Sequence, residues 1–349
     1  MRTELYSQVA KKVLKDSLHL KKGETLTVET WNNGLPFARE VVKEARRIGC
    51  IPITLLEDEE AFLDGVRNAS REIVGLMGKQ EYAMLSGSDG YVFIPGPPLG
   101  TYNRKITRQE YIDSTRYNDS WYKAAKKADL RGVRLTFGYV GRDIARLLGR
   151  SVEDVVEHQL RGSLVSFEKI ARKAKEIAKP MEEEEGTYAT LASDGMKLNF
   201  ELKGGLEIQD GITDREDLEA GNNVCYIPPG YVEKEVRPSS VSGRVKLSPS
   251  LTRFGRLEDA TLEFEDGKIV TWTSRASPGV LTKLAEVLPQ RSPKLAALVV
   301  GLNPTMKFGF GQDRFPAGSV SLLLGFTGIL RRANLEVGGK TVVKDGRLS

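Results

Sequence analysis

The sequence is poor in the two residue types that most often carry thiol and metal chemistry. Its 349 residues include only two cysteines and two histidines. Cys50 and Cys225 cannot build a disulfide framework or a cysteine zinc site, and such sparse cysteine usage fits a reducing compartment. We therefore expect a cytoplasmic protein with two buried, inert thiols. His19 and His158 are too few for a mechanism that needs several imidazoles.

Long hydrophobic runs are also missing. The longest apolar segments, such as Leu295–Leu302, are far shorter than the roughly eighteen residues that cross a bilayer, so no membrane partner is expected. No apolar stretch follows the basic N-terminal residues, so no secretory signal is expected either. The 52 basic and 47 acidic residues leave a net charge of +5, which a mixed solvated surface explains.

Several motifs of common enzyme classes are absent. The chain has no Gly-x-Ser-x-Gly nucleophile elbow, and Ser86–Gly90 is the nearest phrase, which favours a loop before a strand. It has no Walker sequence. Gly309-Phe310-Gly311 begins like a dinucleotide fingerprint, but Arg314 stands where a third glycine belongs. Serine hydrolases and nucleotide-binding enzymes are thus disfavoured.

The first half of the chain alternates between helical and strand periodicity. Apolar residues recur at helical spacing from Tyr6 to Leu18 and from Phe37 to Ile48, and strands are predicted around Leu26 and Val28 and over Ile51–Leu56. Further strands are predicted at Tyr91–Ile94 and Val133–Phe137. This rhythm predicts an α/β domain with a parallel sheet and right-handed crossovers.

The second half is rich in short alternating segments, which predict a β-rich α+β domain. One helix is expected from Val280 to Leu288, and Glu265-Asp266-Gly267-Lys268 predicts a hairpin turn. Acidic and proline residues after the helix that ends near Ile177 suggest a boundary close to Pro180. We therefore expect domains over residues 1–180 and 181–349. The predicted strands of the second half are Tyr188–Leu191, Leu198–Leu202, Val224–Ile227, Gly243–Leu247, Ala260–Phe264, Lys268–Thr273, Leu298–Val300 and Ser319–Leu324.

The segment Tyr102–Arg134 mixes basic and aromatic side chains. Such a mixture can hold phosphates and stack bases, so RNA or another anionic polymer is one candidate partner, with Arg104, Lys105 and Arg108 as its anion-binding residues. Acidic residues within the segment dilute this charge. Solvated helices with an aromatic core face are the preferred interpretation.

Several C-terminal phrases resemble those of the thermophilic metallo-aminopeptidases, the family of aminopeptidases T and S. Gly221–Pro228 resembles the phrase Gly-Glu-Val-aromatic-x-x-Pro, and Gly301-Leu302-Asn303-Pro304 and Gly318–Gly325 resemble the later blocks. Leu35-Pro36-Phe37-Ala38 is similar to the N-terminal part. The resemblance implies a fold of an α/β domain and a β-rich domain, and a homodimer with an internal cavity.

That family binds two divalent metals through two glutamates, two histidines and an aspartate. Carried over by position, these ligands fall on the following residues: Asn223, Ala297, Ser321, Asn334 and Glu336. Glu336 alone keeps a carboxylate, and Asp313 is a nearby acid. Two bound cations need several anionic or imidazole ligands to offset their dehydration and mutual repulsion, so we predict a degenerate site without a metal cofactor.

Three functional hypotheses follow. The first is an aminopeptidase-like protein that binds a peptide or small molecule in the cleft formed by these positions. The second is an active leucyl-type aminopeptidase, a hydrolase holding two zinc, cobalt or manganese ions through unorthodox ligands; the related dihydroxypyridine dioxygenases use iron there but also rely on histidines. The third is binding of RNA or another anionic polymer through residues 102–134.

Overall fold

The chain alternates helices and strands in its first half and consists mainly of strands in its second. A computed structural model describes residues 2–98, 107–182, 186–252, 255–274, 280, 294–307, 316–330 and 332–349. The predicted helix Val280–Leu288 and the Gly309–Arg314 phrase lie mostly or wholly outside these residues. The helices are α1 (Arg2–Lys12), α2 (Leu35–Arg47), α3 (Glu59–Asn68), α4 (Lys79–Ser86), α5 (Arg108–Lys127), α6 (Arg142–Leu148), α7 (Val152–Gly162), α8 (Phe167–Ala178) and α9 (Arg215–Ala220).

Most of the described strands span two to seven residues. They are β1 (Thr25–Trp31), β2 (Ile51–Glu57), β3 (Gly90–Ile94), β4 (Arg131–Leu135), β5 (Thr187–Ser193), β6 (Met196–Gln209), β7 (Val224–Ile227), β8 (Tyr231–Val236), β9 (Ser242–Lys246), β10 (Ser250–Thr252), β11 (Gly255–Leu257), β12 (Thr261–Glu265), β13 (Lys268–Thr273), β14 (Ala297–Gly301), β15 (Val320–Leu323), β16 (Thr327–Leu330), β17 (Asn334–Val337), β18 (Lys340–Lys344) and β19 (Arg347–Leu348).

The chain forms two compact units, and each unit is assembled from several segments. Unit 1 comprises Met1–Arg142, Val152–Leu164 and Gly211–Pro228, and unit 2 comprises Asp143–Ser151, Val165–Asp210 and Pro229–Ser349. The sequence suggested a single boundary near Pro180. In the structure the chain passes between the units several times, so no single cut separates them.

Unit 1 contains a five-stranded parallel sheet, as the strand-helix-strand rhythm predicted. Its strand order is β2-β1-β3-β4-β7. The prediction that Val224–Ile227 belongs to the β-rich half is wrong, because β7 pairs in parallel with β4, with Cys225 opposite Val133. Strand periodicity does not reveal which sheet a short strand joins, since that depends on contacts distant in sequence.

Side chains cap the N-termini of two helices in unit 1. The Asp58 carboxylate accepts from the backbone N–H groups of Glu60 and Ala61 and so caps α3. Thr107 and Glu110 form a reciprocal capping box at the start of α5. Among the described residues, no helix combines the length and the apolar character needed to cross a membrane.

Unit 2 contains a large sheet, antiparallel within its described pairings, as the β-rich pattern predicted. Its main path runs β16-β15-β14-β8-β6-β5-β17-β18-β19, and β9, β12 and β13 branch from β6. Leu330 ends β16 and Asn334 begins β17, although five strands lie between these two in the path. Four residues span at most about 14 Å, so the sheet must curve strongly.

One face of this curved sheet packs around the main core of unit 2. Phe200, Leu298 and Leu322 contribute to that core from the sheet, and Ala174 and Ile177 contribute from α8. The hairpin predicted at Glu265–Lys268 is confirmed, since these two residues pair across the turn that joins β12 to β13. Both free cysteines are buried, as expected.

Candidate ligand-binding site

Two of the family metal positions lie close together in unit 2, on adjacent strands. Ala297 on β14 pairs with Leu323, and Ser321 on β15 pairs with Val299. Both residues project from the face of the sheet opposite to Leu298 and Leu322, because side chains alternate along a strand. Ser321 is fully buried, and within the described part of the chain its hydroxyl has no hydrogen-bond partner. The methyl group of Ala297 and the hydroxyl of Ser321 supply no charged or imidazole ligand for a cation.

The other two family positions in unit 2 lie on β17. Three strands, β8, β6 and β5, lie between β14 and β17 in the sheet. The side-chain amide oxygen of Asn334 accepts a hydrogen bond from the backbone N–H of Asp345 at 2.8 Å, and this bond holds the chain just after β18. Glu336 is exposed and pairs with Thr190 on β5.

Asn223, the fifth position, belongs to unit 1 and is buried. Its amide nitrogen donates to the backbone oxygens of Leu130 at 3.0 Å and Ala125 at 3.4 Å, and so ties β7 to the end of α5. Its side-chain oxygen is buried and has no partner among the described residues. These contacts give Asn223 a structural role within unit 1.

The donor set at these positions does not fit two divalent cations. It supplies one carboxylate, two amides already engaged through one atom each, one hydroxyl and one methyl group, whereas such a centre needs several anionic or imidazole ligands. Within the described residues, no group of three or more His, Cys, Asp or Glu is arranged to hold a metal ion. Asp313, Arg104 and Lys105 lie outside the described residues, as does the side chain of Arg108, whose backbone begins α5.

A different site is present in unit 1, at the carboxyl ends of the parallel strands. The order β2-β1-β3-β4-β7 places the first strand in the interior, so the chain winds outward from it in both directions. In open parallel sheets of this kind, ligands bind in the crevice where the winding reverses, which here lies between β1 and β3. A cavity of about 600 Å³ lies there, within the range typical of small-molecule sites.

The floor of this cavity, called the unit 1 pocket below, comes from one face of the sheet. Glu29 on β1 pairs with Phe93 on β3, and Phe93 pairs with Arg134 on β4, so the three side chains share a face. Glu57 ends β2 opposite Trp31. Helices α3, α4 and α5 and the segment between α3 and α4 supply most of the remaining wall.

Aromatic rings form much of the wall. Trp31 and Phe62 meet edge to face with centroids 5.4 Å apart, and Tyr91 and Trp121 lie 5.0 Å apart. Such rings provide both apolar surface and negative π faces. The lining aromatic residues are Trp31, Phe62, Tyr91, Phe93, Tyr117, Trp121, Tyr122 and Tyr139.

Three carboxyl groups face the same pocket. Burial, with smaller contributions from the charges of Glu57 and Glu81, raises the pKa of Glu29 to about 7 against the opposing effects of the Tyr91 hydrogen bond and the Arg134 charge. Burial, followed by the charge of Glu57, raises the pKa of Glu81 to about 7. Burial also raises the pKa of Glu57. Tyr91 donates a hydrogen bond to Glu29 and Tyr117 donates one to Glu81.

Arg134 is the one basic residue on the wall among the described residues. Its guanidinium lies 5.3 Å from the Phe93 ring and 5.2 Å from the Tyr139 ring, and it donates to the Tyr139 hydroxyl. Its Nε–H is buried without a partner within the described residues. The rings fix this cation in place beside the carboxylates.

Sequence reasoning missed this pocket, although it left a signal. Glu29 interrupts the strand Thr-Leu-Thr-Val-Glu-Thr-Trp near its carboxyl end, Glu57 ends Ile51–Glu57, and Arg134 lies late in β4. Charged residues at the carboxyl ends of parallel strands point to a site. Tyr117, Trp121 and Tyr122 belong to the basic and aromatic segment Tyr102–Arg134, for which the sequence offered RNA as a candidate partner.

The basic segment behaves mainly as a solvated helix with an aromatic core face. Trp121 packs with Tyr91, Leu85 and Ala125 in a buried cluster. Arg116 donates to the backbone oxygen of Arg71 and pairs with Asp113. Trp121 and Arg116, both in the segment proposed to bind nucleic acid, thus make contacts within unit 1. Nucleic-acid binding stays a prediction.

The fold defined by these observations is a parallel α/β unit with a pocket at its switch point, together with an antiparallel β-rich unit. No protein-family model matches the chain, and no curated protein sequence matches it. Among solved structures, it is similar to wild-type AmpT, aminopeptidase T, from Thermus thermophilus, with a TM-score of 0.72 and 14% identity over 100% of both chains.

A second solved structure shares the fold. It is 2,5-dihydroxypyridine dioxygenase from Pseudomonas putida KT2440, with a TM-score of 0.61 and 12% identity over 99% of this chain and 96% of that one. The two names describe unrelated reactions, a peptidase and a dioxygenase. The likeness therefore establishes an aminopeptidase T-like fold, and function has to be argued from this chain's own residues.

Proposed function

We propose that this protein binds a small organic molecule in the unit 1 pocket and does not carry out two-metal peptide hydrolysis. The observation that carries the proposal is the aromatic cavity of about 600 Å³ at the carboxyl ends of β1 and β3. Its position follows the rule for ligand sites in open parallel sheets. The sequence predicted instead that a peptide or small molecule binds in a cleft lined by the family metal positions. Binding in that cleft stays a separate prediction.

The side chains at the family metal positions support the proposal that the protein does not carry out two-metal peptide hydrolysis. Ala297, Ser321 and Asn334 replace charged or imidazole ligands with a methyl group, a hydroxyl and an amide. Removing water from two divalent cations is energetically unfavourable, and these neutral groups bind the cations too weakly to offset it. The related fold in AmpT and in a dioxygenase shows that one scaffold carries different chemistries, so loss of a metal centre does not conflict with the fold.

Gly65 on α3 offers a sharp test of pocket binding. It lines the pocket, and a Cβ built on it meets no atom within 4 Å. A Gly65→Phe side chain can therefore fill the pocket without a backbone clash. Gly65→Ala is the matched control, because it removes the same glycine but leaves most of the volume open.

The experiment is a thermal-shift screen of small amines, acids and neutral aromatic compounds. Binding at one hundred times Kd stabilises the folded state by about 2.7 kcal/mol, which gives a measurable rise in Tm. We expect at least one compound to raise the Tm of the native protein and of Gly65→Ala, but not of Gly65→Phe. Equal shifts in all three proteins, or no shift with any compound, would contradict the proposal.

An active aminopeptidase with unorthodox ligands is the second candidate, favoured by the likeness to aminopeptidase T. Its test is hydrolysis of leucyl-p-nitroanilide with added zinc, cobalt or manganese. We expect no metal-dependent hydrolysis. Turnover that a chelator abolishes would restore peptide hydrolysis as the leading function.

A further inference from the structure

We propose that the unit 1 pocket is selective for an organic cation, a protonated or quaternary amine attached to an aromatic or apolar body. This inference rests on the proposed function, since it names the class of ligand for the same site. Charge, ring placement and the apolar wall support it independently.

The charge of the pocket favours a cation once its carboxyl groups are ionised. Glu29, Glu57 and Glu81 all line the pocket, and Glu29 and Glu57 lie on the paired strands β1 and β2. Within the described part of the chain, none of the three forms an ion pair with a lysine or arginine. Arg134 offsets one charge, and its guanidinium is already held over Phe93 and Tyr139. Fully ionised, the pocket therefore carries an excess of negative charge.

The hydroxyl groups leave acceptor oxygens available for an ammonium group. Tyr91 donates to one oxygen of Glu29, and Tyr117 donates to one oxygen of Glu81. Each carboxylate has two oxygens and about four acceptor positions. The tyrosines thus fix the orientation of both carboxylates without saturating them.

The rings add a second attraction for cations. A cation over the face of a tryptophan or tyrosine is stabilised by the ring quadrupole, most strongly where water is excluded. Trp31, Tyr91 and Trp121 lie on the pocket wall beside the carboxylates. An anion would meet both the rings and the carboxylates unfavourably.

The remaining wall suits an apolar body. Val66, Ile73, Leu76 and Val224 line the pocket with the aromatic rings. Burying apolar ligand surface against them strengthens binding, because that surface leaves water. An amine on an aromatic body satisfies both parts of the wall.

Binding of a cation is also linked to the release of protons from the pocket. The pKa values of Glu29 and Glu81 lie near 7, so both groups are partly protonated at neutral pH. A bound cation favours their ionised forms, and protons leave the pocket as the ligand enters. The affinity for a cation therefore rises with pH between 6 and 8, by up to tenfold per pH unit for each proton released.

The test is titration calorimetry of the full chain with three probes of similar body and different charge. They are 2-phenylethylamine as the cation, 2-phenylethanol as the neutral compound and 3-phenylpropanoate as the anion. We expect the amine to bind at least tenfold more tightly than the alcohol, no binding of the acid, and a tighter amine complex at pH 8 than at pH 6.

The double variant Glu29→Gln, Glu81→Gln checks the residues. Glutamine has the same shape as glutamate and can still accept from Tyr91 and Tyr117, so the fold should survive. We expect amine affinity to fall at least tenfold and its pH dependence to flatten. Glu60→Gln, on the exposed surface of α3, is the control and should leave both unchanged.

The outcomes separate this inference from the proposed function. Tighter binding of the alcohol or the acid than of the amine would overturn the cation assignment while leaving a ligand-binding pocket. Amine affinity unchanged in the double variant would overturn it too. Absence of binding for all three probes and for the thermal-shift panel would remove both proposals.

Discussion

The pKa of Glu29 is set by the groups that surround its side chain. It is a buried carboxyl group in a β-strand, it accepts a hydrogen bond from the Tyr91 hydroxyl, and the charges of Glu57 and Glu81 act on it. Transfer of an ionised carboxylate out of water is so costly that the group retains its proton to a higher pH instead. This residue therefore couples the stability of the fold to pH.

The sign of that coupling is fixed by the direction of the shift. Burial raises the pKa of Glu29 from 4.5 to about 7 in the folded protein. Between these two values the folded state holds a proton that the unfolded state has lost. The free energy of unfolding therefore falls as pH rises through this window.

Glu29→Gln should remove this loss, because glutamine does not titrate. At pH 8 we expect the variant to be more stable than the native protein by roughly 3 kcal/mol, since each pKa unit corresponds to about 1.4 kcal/mol. At pH 4 the two should differ little. Urea unfolding at both values measures the difference.

The exposed hairpin residue Glu265 supplies the control. Glu265→Gln should change stability little at either pH. A Glu29→Gln variant that is less stable than the native protein at pH 8 would show that Glu29 is ionised and stabilising in the fold.

At the scale of elements, tight hairpins connect several strands of unit 2. Asp266 and Gly267 between β12 and β13, and Asp194 and Gly195 between β5 and β6, all have positive φ angles. This is the backbone of the hairpin turn that Asp-Gly favours. The turn at Asp266-Gly267 was predicted from the sequence, and Asp194-Gly195 carries the same Asp-Gly signal.

The two glycines differ in what surrounds them. A Cβ on Gly267 would lie 2.0 Å from the backbone oxygen of Pro238, whereas a Cβ on Gly195 meets nothing within 4 Å. Gly195→Ala should cost about 1 kcal/mol for the positive φ angle alone. Gly267→Ala should cost roughly 3 kcal/mol or more, because the clash adds to the backbone strain.

Urea unfolding of the two variants tests this pair. The difference between them isolates the contact with Pro238, since both variants carry the same residue at the same kind of turn position. Equal losses of stability would show that the chain near Pro238 shifts without cost.

At the scale of the whole molecule, the question is whether metal ions contribute to the folded state. The family positions lack the anionic and imidazole ligands that two cations need. We therefore expect the Tm to be unchanged by prolonged dialysis against EDTA, and by later addition of zinc, cobalt or manganese. Elemental analysis of the purified protein checks the same point.

A fall in Tm on EDTA treatment that zinc or cobalt reverses would contradict this expectation, since ions that bind the native state stabilise it. The homodimer that the resemblance implies stays a prediction. Its measure is a solution mass of twice the 38.6 kDa of one chain.

The sequence by itself determined the local elements of this protein. Hydrophobic periodicity located β1, α2, β3 and the hairpin at Asp266, because period and turn chemistry depend on neighbours along the chain. The phrases around Asn223 and Ser321 pointed to the aminopeptidase T-like fold, which the comparison with AmpT supports. The scarcity of histidine already argued against a family-type metal centre.

Only the tertiary structure decided which strands join which sheet and where side chains meet. The strand Val224–Ile227 lies in the parallel sheet because it pairs with β4, a partner about ninety residues earlier. Glu29, Glu57, Glu81 and Arg134 come from four separate elements, and no spacing in the sequence brings them together. Their pKa shifts and their pocket arise from burial and mutual charge, which are properties of three-dimensional neighbours rather than of sequence neighbours.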